Sequence, residues 1–395
     1  MLRVLTLSTL FPSAVEPVLG VFVERQTLGL AALPDVEVEV VAPVGLPHWP
    51  LSLHPHYADR ATLPLEEDWK GLKVHRPRFP VWPKLLPGRS PDAMADALLP
   101  LLSRIQARFP FDVIDAEFFW PDGPAAMRLA AALGVPFSIK ARGADIHHWG
   151  TRPATAPQVL AAGRAADGLL AVSEAMKRSM AGCGLPAEKI TVHYTGVDTE
   201  RFRPIDRREA KRTLGIDGPL IVTAGALIPR KGQKHALAAL ERIPGATLIL
   251  VGEGPDRAEL EAVARQRGVL SRVWFLGRRP HEDLPALLAA ADVTLQPSAS
   301  EGLANVWVES LACGTPVVTT DVGGAREVID RPAAGRLVPL EPVLLAAAVK
   351  DLLASPPEPS EVRRAAAPFS WETNSRALSA HLKAICERAG RRQAA

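Results

Sequence analysis

Glu301 and Glu309 are two carboxylates with seven residues between them, in the stretch Pro297-Ser298-Ala299-Ser300-Glu301-Gly302-Leu303-Ala304-Asn305-Val306-Trp307-Val308-Glu309. A strand-like run ends at Pro297, small residues form a loop, and a helix is expected from about Ala304. Glu301 then sits in the loop and Glu309 inside the helix. The free N–H groups of Gly302, Leu303, Ala304 and Asn305 would form a helix N-terminus, which suits an anion. Two carboxylates beside an anion site cannot both touch phosphate. They suit hydroxyl groups, such as those of a ribose and a sugar. Standing alone, the pair reads equally well as a loop glutamate and a helix-surface glutamate.

It has company. Gly225-Ala226-Leu227-Ile228-Pro229-Arg230-Lys231-Gly232 follows the apolar run Leu220–Ala224 and puts Arg230 and Lys231 just past a strand's carboxyl end, where a diphosphate could lie. Downstream, Ala312-Cys313-Gly314-Thr315-Pro316-Val317-Val318-Thr319-Thr320-Asp321-Val322-Gly323-Gly324-Ala325-Arg326-Glu327 reads as a helix end at Gly314, a buried strand, then a Gly-Gly turn into a short helix.

Loops of this kind need strands and helices to hold them. β-rich runs fall at Leu2–Ser8, Val36–Pro43, Leu72–Arg76, Asp112–Glu117, Pro136–Lys140, Gly168–Ser173 and Lys189–His193. In the second half they fall at Leu220–Ala224, Thr247–Val251, Arg272–Leu276, Val293–Pro297, Thr315–Thr319 and Arg336–Pro339. Helix-like stretches alternate with them, near 20–33, 92–108, 123–133, 155–165 and 174–181, then near 233–241, 255–267, 283–290, 305–312 and 341–354. Leu248-Ile249-Leu250-Val251 is apolar on both faces, the pattern of parallel strands covered by helices. The expectation is an α/β chain of two doubly wound, Rossmann-like domains facing an interdomain cleft. Their expected spans are 1–203 and 204–369, with a closing helix over 370–390 packing back on the first. His48–Asp68 and the proline-rich Arg78–Pro91 read as long loops.

Composition excludes several classes. With 395 residues, 47% hydrophobic and 23% charged, the chain is neither mainly disordered nor fibrous. A net charge of +3 argues against a nucleic-acid binder. Cys183, Cys313 and Cys386 are too scattered for a disulfide framework or a zinc pattern, which suggests a reducing compartment. Met1–Leu10 does not read as a signal peptide, and no run of transmembrane length occurs, so the expected location is cytoplasmic. No GxGxxG follows either domain's first strand, against a nicotinamide dehydrogenase. The segment 70–89 carries Lys70, Lys73, Arg76, Arg78, Lys84 and Arg89 without an acidic residue, interleaved with Phe79, Trp82, Leu85 and Leu86. It is a candidate for peripheral contact with the inner face of a membrane or with a lipid-linked acceptor, against the plainer reading of a solvated loop.

Taken together, the second-half motifs resemble those of the retaining glycosyltransferases of family 4, which have the GT-B fold. The resemblance rests on the Glu301/Glu309 pair, the Gly225…Lys231-Gly232 loop and the Gly314-Thr315-Pro316-Val317-Val318…Gly323-Gly324…Glu327 run. In the first half, Leu10-Phe11-Pro12-Ser13 with Gly20-Val21-Phe22-Val23 is similar to the family's first glycine loop. Val172-Ser173-Glu174 with Gly196-Val197-Asp198…Phe202-Arg203-Pro204 is similar to its domain-closing segment. Phe275-Leu276-Gly277 resembles the strand end that reads the base, and Ser370-Trp371-Glu372 the start of the closing helix.

The resemblance implies transfer of a sugar from a nucleoside-diphosphate sugar to a glycan, lipid-linked or small-molecule acceptor in polysaccharide or glycoconjugate biosynthesis, without an essential metal or other cofactor. It implies that Glu309 binds the ribose, Glu301 holds donor-sugar hydroxyls and Lys231 neutralises the leaving diphosphate. Amides at Leu303 and Ala304 would reach sugar or phosphate oxygens, backbone at Arg278 and Arg279 would edge the base, and Gly20 would let backbone approach the phosphates. Two departures stand out. Ala226 occupies a position where the family often has Arg, so Arg230 is the candidate substitute. Arg142, in Ala141-Arg142-Gly143-Ala144-Asp145, stands where a His is usual. Arg142 and Asp145 are the candidate acceptor-side residues. A nucleotide-sugar epimerase or hydrolase, and a non-catalytic nucleotide- or glycan-binding subunit, are the alternatives.

Overall fold

A computed structural model describes residues 1–82 and 86–394. The chain divides into two units, Met1–Gly196 with Trp371–Ala395, and Val197–Ser370.

The first unit begins with β1 (Leu2–Leu7), α1 (Val21–Ala31), β2 (Val36–Val41), β3 (Val44–Pro47), α2 (Pro55–Ala61), β4 (Glu66–Trp69), β5 (Leu72–His75) and β6 (Arg78–Val81). It continues with α3 (Ser90–Arg108), β7 (Val113–Ala116), α4 (Asp122–Leu133), β8 (Phe137–Ala141), α5 (Ala156–Ala165), β9 (Gly168–Ala171), α6 (Glu174–Gly182) and β10 (Ile190–Val192). Eight strands form one sheet in the order β10-β9-β8-β7-β1-β2-β5-β4, and only β4 runs antiparallel to its neighbour. The C-terminal helix Trp371–Ala394 belongs to this unit. Its Leu378, Leu382 and Ile385 are buried against Leu2, Val4, Leu30, Val113 and Leu170.

The second unit contains α7 (Arg207–Thr213), β11 (Leu220–Ala224), α8 (Gln233–Leu240), β12 (Thr247–Val251), α9 (Arg257–Gln266), β13 (Val273–Gly277) and α10 (Leu284–Ala290). After these come β14 (Val293–Gln296), α11 (Asn305–Ala312), β15 (Val317–Thr319), α12 (Ala325–Val328), β16 (Gly335–Leu337), α13 (Pro342–Ala354) and α14 (Pro359–Arg364). Its sheet is wholly parallel, in the order β13-β12-β11-β14-β15-β16. Leu248 and Leu250 of β12 are buried with Leu237 and Leu240 of α8, and Leu345 and Val349 of α13 join the same core. Leucines and alanines of these helices pack on strands that are largely apolar.

The units divide at Gly196/Val197, ahead of the expected 203/204 boundary. The intervening segment is tied to the second unit: the Val197 N–H donates to the Phe369 carbonyl at 2.6 Å, and the Arg363 guanidinium donates to the Thr199 and Phe202 carbonyls at 2.6 and 3.0 Å. The two expected long loops are also structured. His48–Asp68 contains a 3-10 turn at Leu51–Leu53, α2 and part of β4. In Arg78–Pro91, β6 pairs in parallel with β3, more than thirty residues earlier in the chain. Pro80 lies within β6, which a two-stranded sheet with an open edge tolerates.

Candidate functional site

In the second unit the chain lays β12 and β13 on one side of β11, then returns to place β14 on the other. The loops leaving β11 and β14 therefore flank the point where strand order reverses, the crevice in which doubly wound sheets bind ligands. These are the loops at 225–232 and 297–304.

Gly225 (φ +148°) leads from β11 into a 3-10 turn at Pro229–Lys231, and Gly232 (φ +71°) starts α8. A Cβ on Gly232 would lie 1.8 Å from the Pro297 carbonyl oxygen, so the two loops meet backbone to backbone. The Ala299 N–H donates to the Arg230 carbonyl at 2.8 Å and makes a second link. Held there, two cations converge on Glu301. Lys231 Nζ is 2.6 Å from Oε1; the Arg230 guanidinium is 3.1 Å from Oε2 and donates to the Ser300 carbonyl at 2.5 Å. The Lys231 side chain is 16% exposed and that of Arg230 is 45%, so the ammonium is the inner charge and the guanidinium the rim.

Ala304, ahead of α11, has no side-chain cap to offer. The N–H groups of Leu303 and Ala304 make no hydrogen bond among the described residues, and with Gly302 and Asn305 they form the leading edge of the helix. Glu309, within α11, is buried and lies 2.7 Å from His281 Nε2; the His281 ring packs edge-on against Phe202. Arg278 and Arg279 are exposed after β13. Arg278 is tied to Glu253, its N–H 3.4 Å from Oε1 and its Nε 3.2 Å from Oε2.

Sequence reasoning missed two residues here. One is His281, which no motif marks. The other is Gln296, the polar end of an otherwise largely apolar strand. It is fully buried, its Oε1 has no hydrogen-bond donor among the described residues, and its Nε2 lies 3.7 Å from where a Cβ on Gly225 would be. An orphaned buried acceptor is costly.

Gly20, Arg142 and Asp145 belong to the first unit. Gly20 precedes α1 in the left-handed conformation, and a Cβ there would meet the Leu10 carbonyl oxygen at 2.0 Å, so the loop's own packing requires glycine. Arg142 and Asp145, the candidate acceptor-side residues, point inward. The Arg142 guanidinium pairs with the buried carboxylate of Glu117, donates to the Glu117 carbonyl at 2.9 Å and lies over the Phe22 ring. Asp145 is fully buried and accepts the N–H groups of Arg142, Gly143, Ile146 and Phe119 at 2.7–3.3 Å, which fixes the loop's shape.

Around them lies a buried ionisable cluster. Burial, and then the neighbouring Arg142, pull the Lys140 ammonium down to about 7. Its Nζ contacts Gln26 Oε1 at 2.5 Å and His193 Nδ1 at 2.6 Å, while His193 Nε2 donates to the Asn374 carbonyl at 2.8 Å. Burial, reinforced by Glu117, holds Asp115 well above the carboxylate range. Burial also opposes ionisation of Glu117, but Arg142 and Lys140 outweigh it. A separate cavity of about 330 Å³ opens past the ends of β1 and β2, its lining including Ser8, Thr9, Ser13, Tyr57, Arg60 and Phe79.

Of the five described basic residues in 70–89, three are engaged. Lys70 pairs with Glu24 at 2.9 Å, Arg76 is buried against Glu67 and the Pro12 carbonyl, and Arg78 donates to the Arg76 and Leu63 carbonyls. Phe79 is buried. Lys84 and Leu85 lie outside the described residues. Among the described residues, no helix is long and apolar enough to cross a membrane, and no three His, Cys, Asp or Glu side chains converge as a metal site.

The fold is that of the GT-B glycosyltransferases. The chain belongs to family 4: residues 20–201 match the model described as Glycosyltransferase Family 4, and 206–368 the model described as Glycosyl transferases group 1. It is 37% identical over 226 residues to the D-inositol 3-phosphate glycosyltransferases of Mycobacterium bovis and Mycobacterium tuberculosis, a match that covers 53% of this chain and 47% of theirs. The chain thus spans about half the length of these curated relatives. Sucrose-phosphate synthase from Thermosynechococcus elongatus shares the fold with a TM-score of 0.78 at 20% identity, covering 98% of this chain and 99% of the other. Anabaena HepE in complex with UDP does so with a TM-score of 0.74 at 20% identity, covering 97% and 100%.

Proposed function

We propose that this chain is a retaining glycosyltransferase. It moves a sugar from a nucleoside-diphosphate sugar to a carbohydrate acceptor, free or lipid-linked, in polysaccharide or glycoconjugate assembly. The observation that carries this reading is the convergence of Lys231 and Arg230 on Glu301, at the switch point and beside the uncapped start of α11. HepE, crystallised with UDP and with UDP-glucose, supports the donor class.

Cleaving the anomeric bond leaves negative charge on a diphosphate. Fixed positive ends stabilise such charge without reorganising. Here Lys231 is the inner cation, Arg230 the rim cation, and the amides of Leu303 and Ala304 the helix end. A lysine has three donors, so Nζ can keep Glu301 and still donate to a phosphate oxygen. Glu301 accepts from donor-sugar hydroxyls, Glu309 from the ribose, and backbone at Arg278 and Arg279 borders the base. The acceptor is taken by the first unit, where the cavity at Ser8, Thr9 and Tyr57 offers hydroxyl partners. Arg142 and Asp145 hold the 141–149 loop and do not touch it.

Calorimetry with UDP, GDP and ADP, followed by the sugars of the nucleotide that binds, tests the reading. One diphosphate should bind at micromolar or better affinity, and its sugar should be turned over only with a carbohydrate acceptor present. Release of free sugar into water as the sole reaction would identify a hydrolase instead. Because the cations and helix amides carry the leaving charge, turnover should persist in EDTA; loss on chelation with recovery in Mg²⁺ or Mn²⁺ would refute that part.

A further inference from the structure

We infer that the cavity past the ends of β1 and β2 takes an uncharged sugar ring and rejects a phosphorylated one, so that the unit this enzyme extends is a neutral glycosyl end. The inference rests on the sugar-transfer reading above and names the acceptor class within it. At about 330 Å³ the cavity lies at the small end of the range for ligand sites, which suits one ring better than a chain. Its apolar walls include Phe11, Leu63 and Phe79, all buried, which suit the C–H faces of a ring. Its polar groups come from two elements. Ser8, Ser13 and Glu16 stand on the loop between β1 and α1; Tyr57 and Arg60, three positions apart on α2, share a helix face.

The hydrogen-bonding capacity left over in this cavity is rich in donors. Ser8 Oγ accepts the Leu10 N–H at 3.0 Å and Ser13 Oγ that of Glu16 at 3.2 Å; neither hydroxyl proton has an acceptor among the described residues. The Tyr57 hydroxyl has no partner among them either, and the Arg60 Nε is buried with no acceptor. Such donors match the ring and hydroxyl oxygens of a sugar. They would match phosphate oxygens as well, so charge decides between the two. Glu16 puts a carboxylate on the lining. Its Oε1 holds Arg60 Nη2 at 2.7 Å, which leaves Oε2 to accept a sugar hydroxyl. Both cations of the lining are neutralised within the protein. Arg60 is paired with Glu16; Arg76, buried, is paired with Glu67 and donates from Nη2 to the Pro12 carbonyl at 2.6 Å. Arg78 is off the lining, with its guanidinium turned to the Ala61, Leu63 and Arg76 carbonyls. A phosphate, with about −1.5 to −2 charge at neutral pH, would enter beside the Glu16 carboxylate and find no unpaired cation, and an unpaired charge is costly to bury. A neutral ring satisfies the same donors without that cost.

The test uses the full chain with methyl α-D-glucopyranoside, methyl α-D-mannopyranoside and methyl α-D-galactopyranoside, each beside its 6-phosphate. Binding is titrated by saturation-transfer NMR near neutral pH, with and without the nucleoside diphosphate that calorimetry selects. At least one neutral glycoside should bind, and its 6-phosphate should bind roughly tenfold or more weakly. Glu16→Gln, which removes the repelling carboxylate and frees Arg60, should weaken the neutral glycoside and narrow the gap to its phosphate by roughly tenfold. Tyr57→Phe removes only a hydroxyl and leaves the ion pair alone. It should weaken the neutral glycoside by roughly three- to tenfold, with an unchanged thermal transition and unchanged nucleoside-diphosphate affinity. Equal or tighter binding of the 6-phosphates overturns the inference, as does a panel in which no neutral glycoside binds. So does a Tyr57→Phe variant that binds like the parent, or a folded Glu16→Gln variant that keeps the parent's ratio. Diphosphate affinity is read separately: a chain that binds the diphosphate but prefers phosphorylated glycosides keeps the sugar-transfer reading and loses this one.

Discussion

Glu309 shares its carboxylate with the His281 imidazole, 2.7 Å away, and that partner changes what a substitution there measures. Glu309→Ala removes the acceptor for the ribose hydroxyls and strips His281 of a carboxylate. Nucleotide affinity should fall by about 1.5–3 kcal/mol, roughly tenfold to a hundredfold, with the fold intact. His281→Ala leaves the carboxylate in place but unoriented, and calorimetry should show a loss of about 0.5–1.5 kcal/mol. Unchanged affinity in Glu309→Ala would remove the ribose assignment. Arg230 poses a different question. The guanidinium bridges Glu301 and the Ser300 carbonyl while staying 45% exposed. Arg230→Ala should therefore weaken nucleoside diphosphate by about 1.5–3 kcal/mol while leaving the nucleoside untouched. Lys231→Ala should cost more, because it removes the inner of the two cations beside a buried carboxylate. Equal binding of diphosphate by Arg230→Ala and the parent would leave Lys231 and the helix amides as the only phosphate contacts.

At the scale of elements, the βα loops were legible because their chemistry is local. Strand, small-residue loop and helix follow one another from Val293 to Ala312, and the structure reproduces that order with α11 starting at Asn305. The pairing of β3 with β6 was not legible, since two short, proline-bearing runs declare themselves strands only when they meet. Nor was α7, which Asp206 caps by accepting the Arg208 and Glu209 N–H groups at 3.0 and 3.1 Å. His281 escaped for a similar reason: its partner lies in another element, 28 positions on. The contact between the 225–232 and 297–304 loops can be tested without touching a charge. Gly232 and Gly245 have nearly the same positive φ, +71° and +73°, but a Cβ on Gly245 would have nothing within 4 Å. Gly245→Ala should cost only the left-handed strain, about 1–2 kcal/mol. Gly232→Ala adds a collision with the Pro297 carbonyl and should cost about 3 kcal/mol or more, with a lower Tm and weaker nucleotide binding together. If both variants melt alike, the two loops are not held as described.

At the scale of the whole molecule, the two units bury different things beside their sheets. The second packs leucine, isoleucine, valine and alanine around β11, β12 and β14, whereas the first sinks Asp115, Glu117, Asp122, Lys140, Arg142 and Asp145 near the ends of β1, β7 and β8. Strand patterns such as Val-Ile-Asp-Ala do not reveal this, because a charged residue in a short strand looks the same whether it faces water or the interior. The arrangement has a consequence for stability. Burial, with the nearby carboxylates of Glu117 and Asp145 adding to it, lifts Asp122 to about 7, even though the Thr9 N–H and hydroxyl donate to it at 3.0 and 2.8 Å. The folded state therefore keeps a proton that the unfolded chain, near 3.8, gives up. Between those values the native state binds more protons, so this group's contribution to stability is complete below about pH 4 and is lost as pH rises through about 7. Asn at position 122 carries no such charge, can accept the Thr9 N–H through its carbonyl and can donate to the Thr9 hydroxyl. Asp122→Asn should therefore match the parent to within about 1 kcal/mol near pH 4 and exceed it by on the order of 2–4 kcal/mol near pH 8. Denaturant unfolding at the two pH values reads the difference directly, and titrating groups remote from Asp122 cancel in the comparison of variant with parent. A gap that stays constant from pH 4 to pH 8 would mean that Asp122 is ionised in the folded protein across that range.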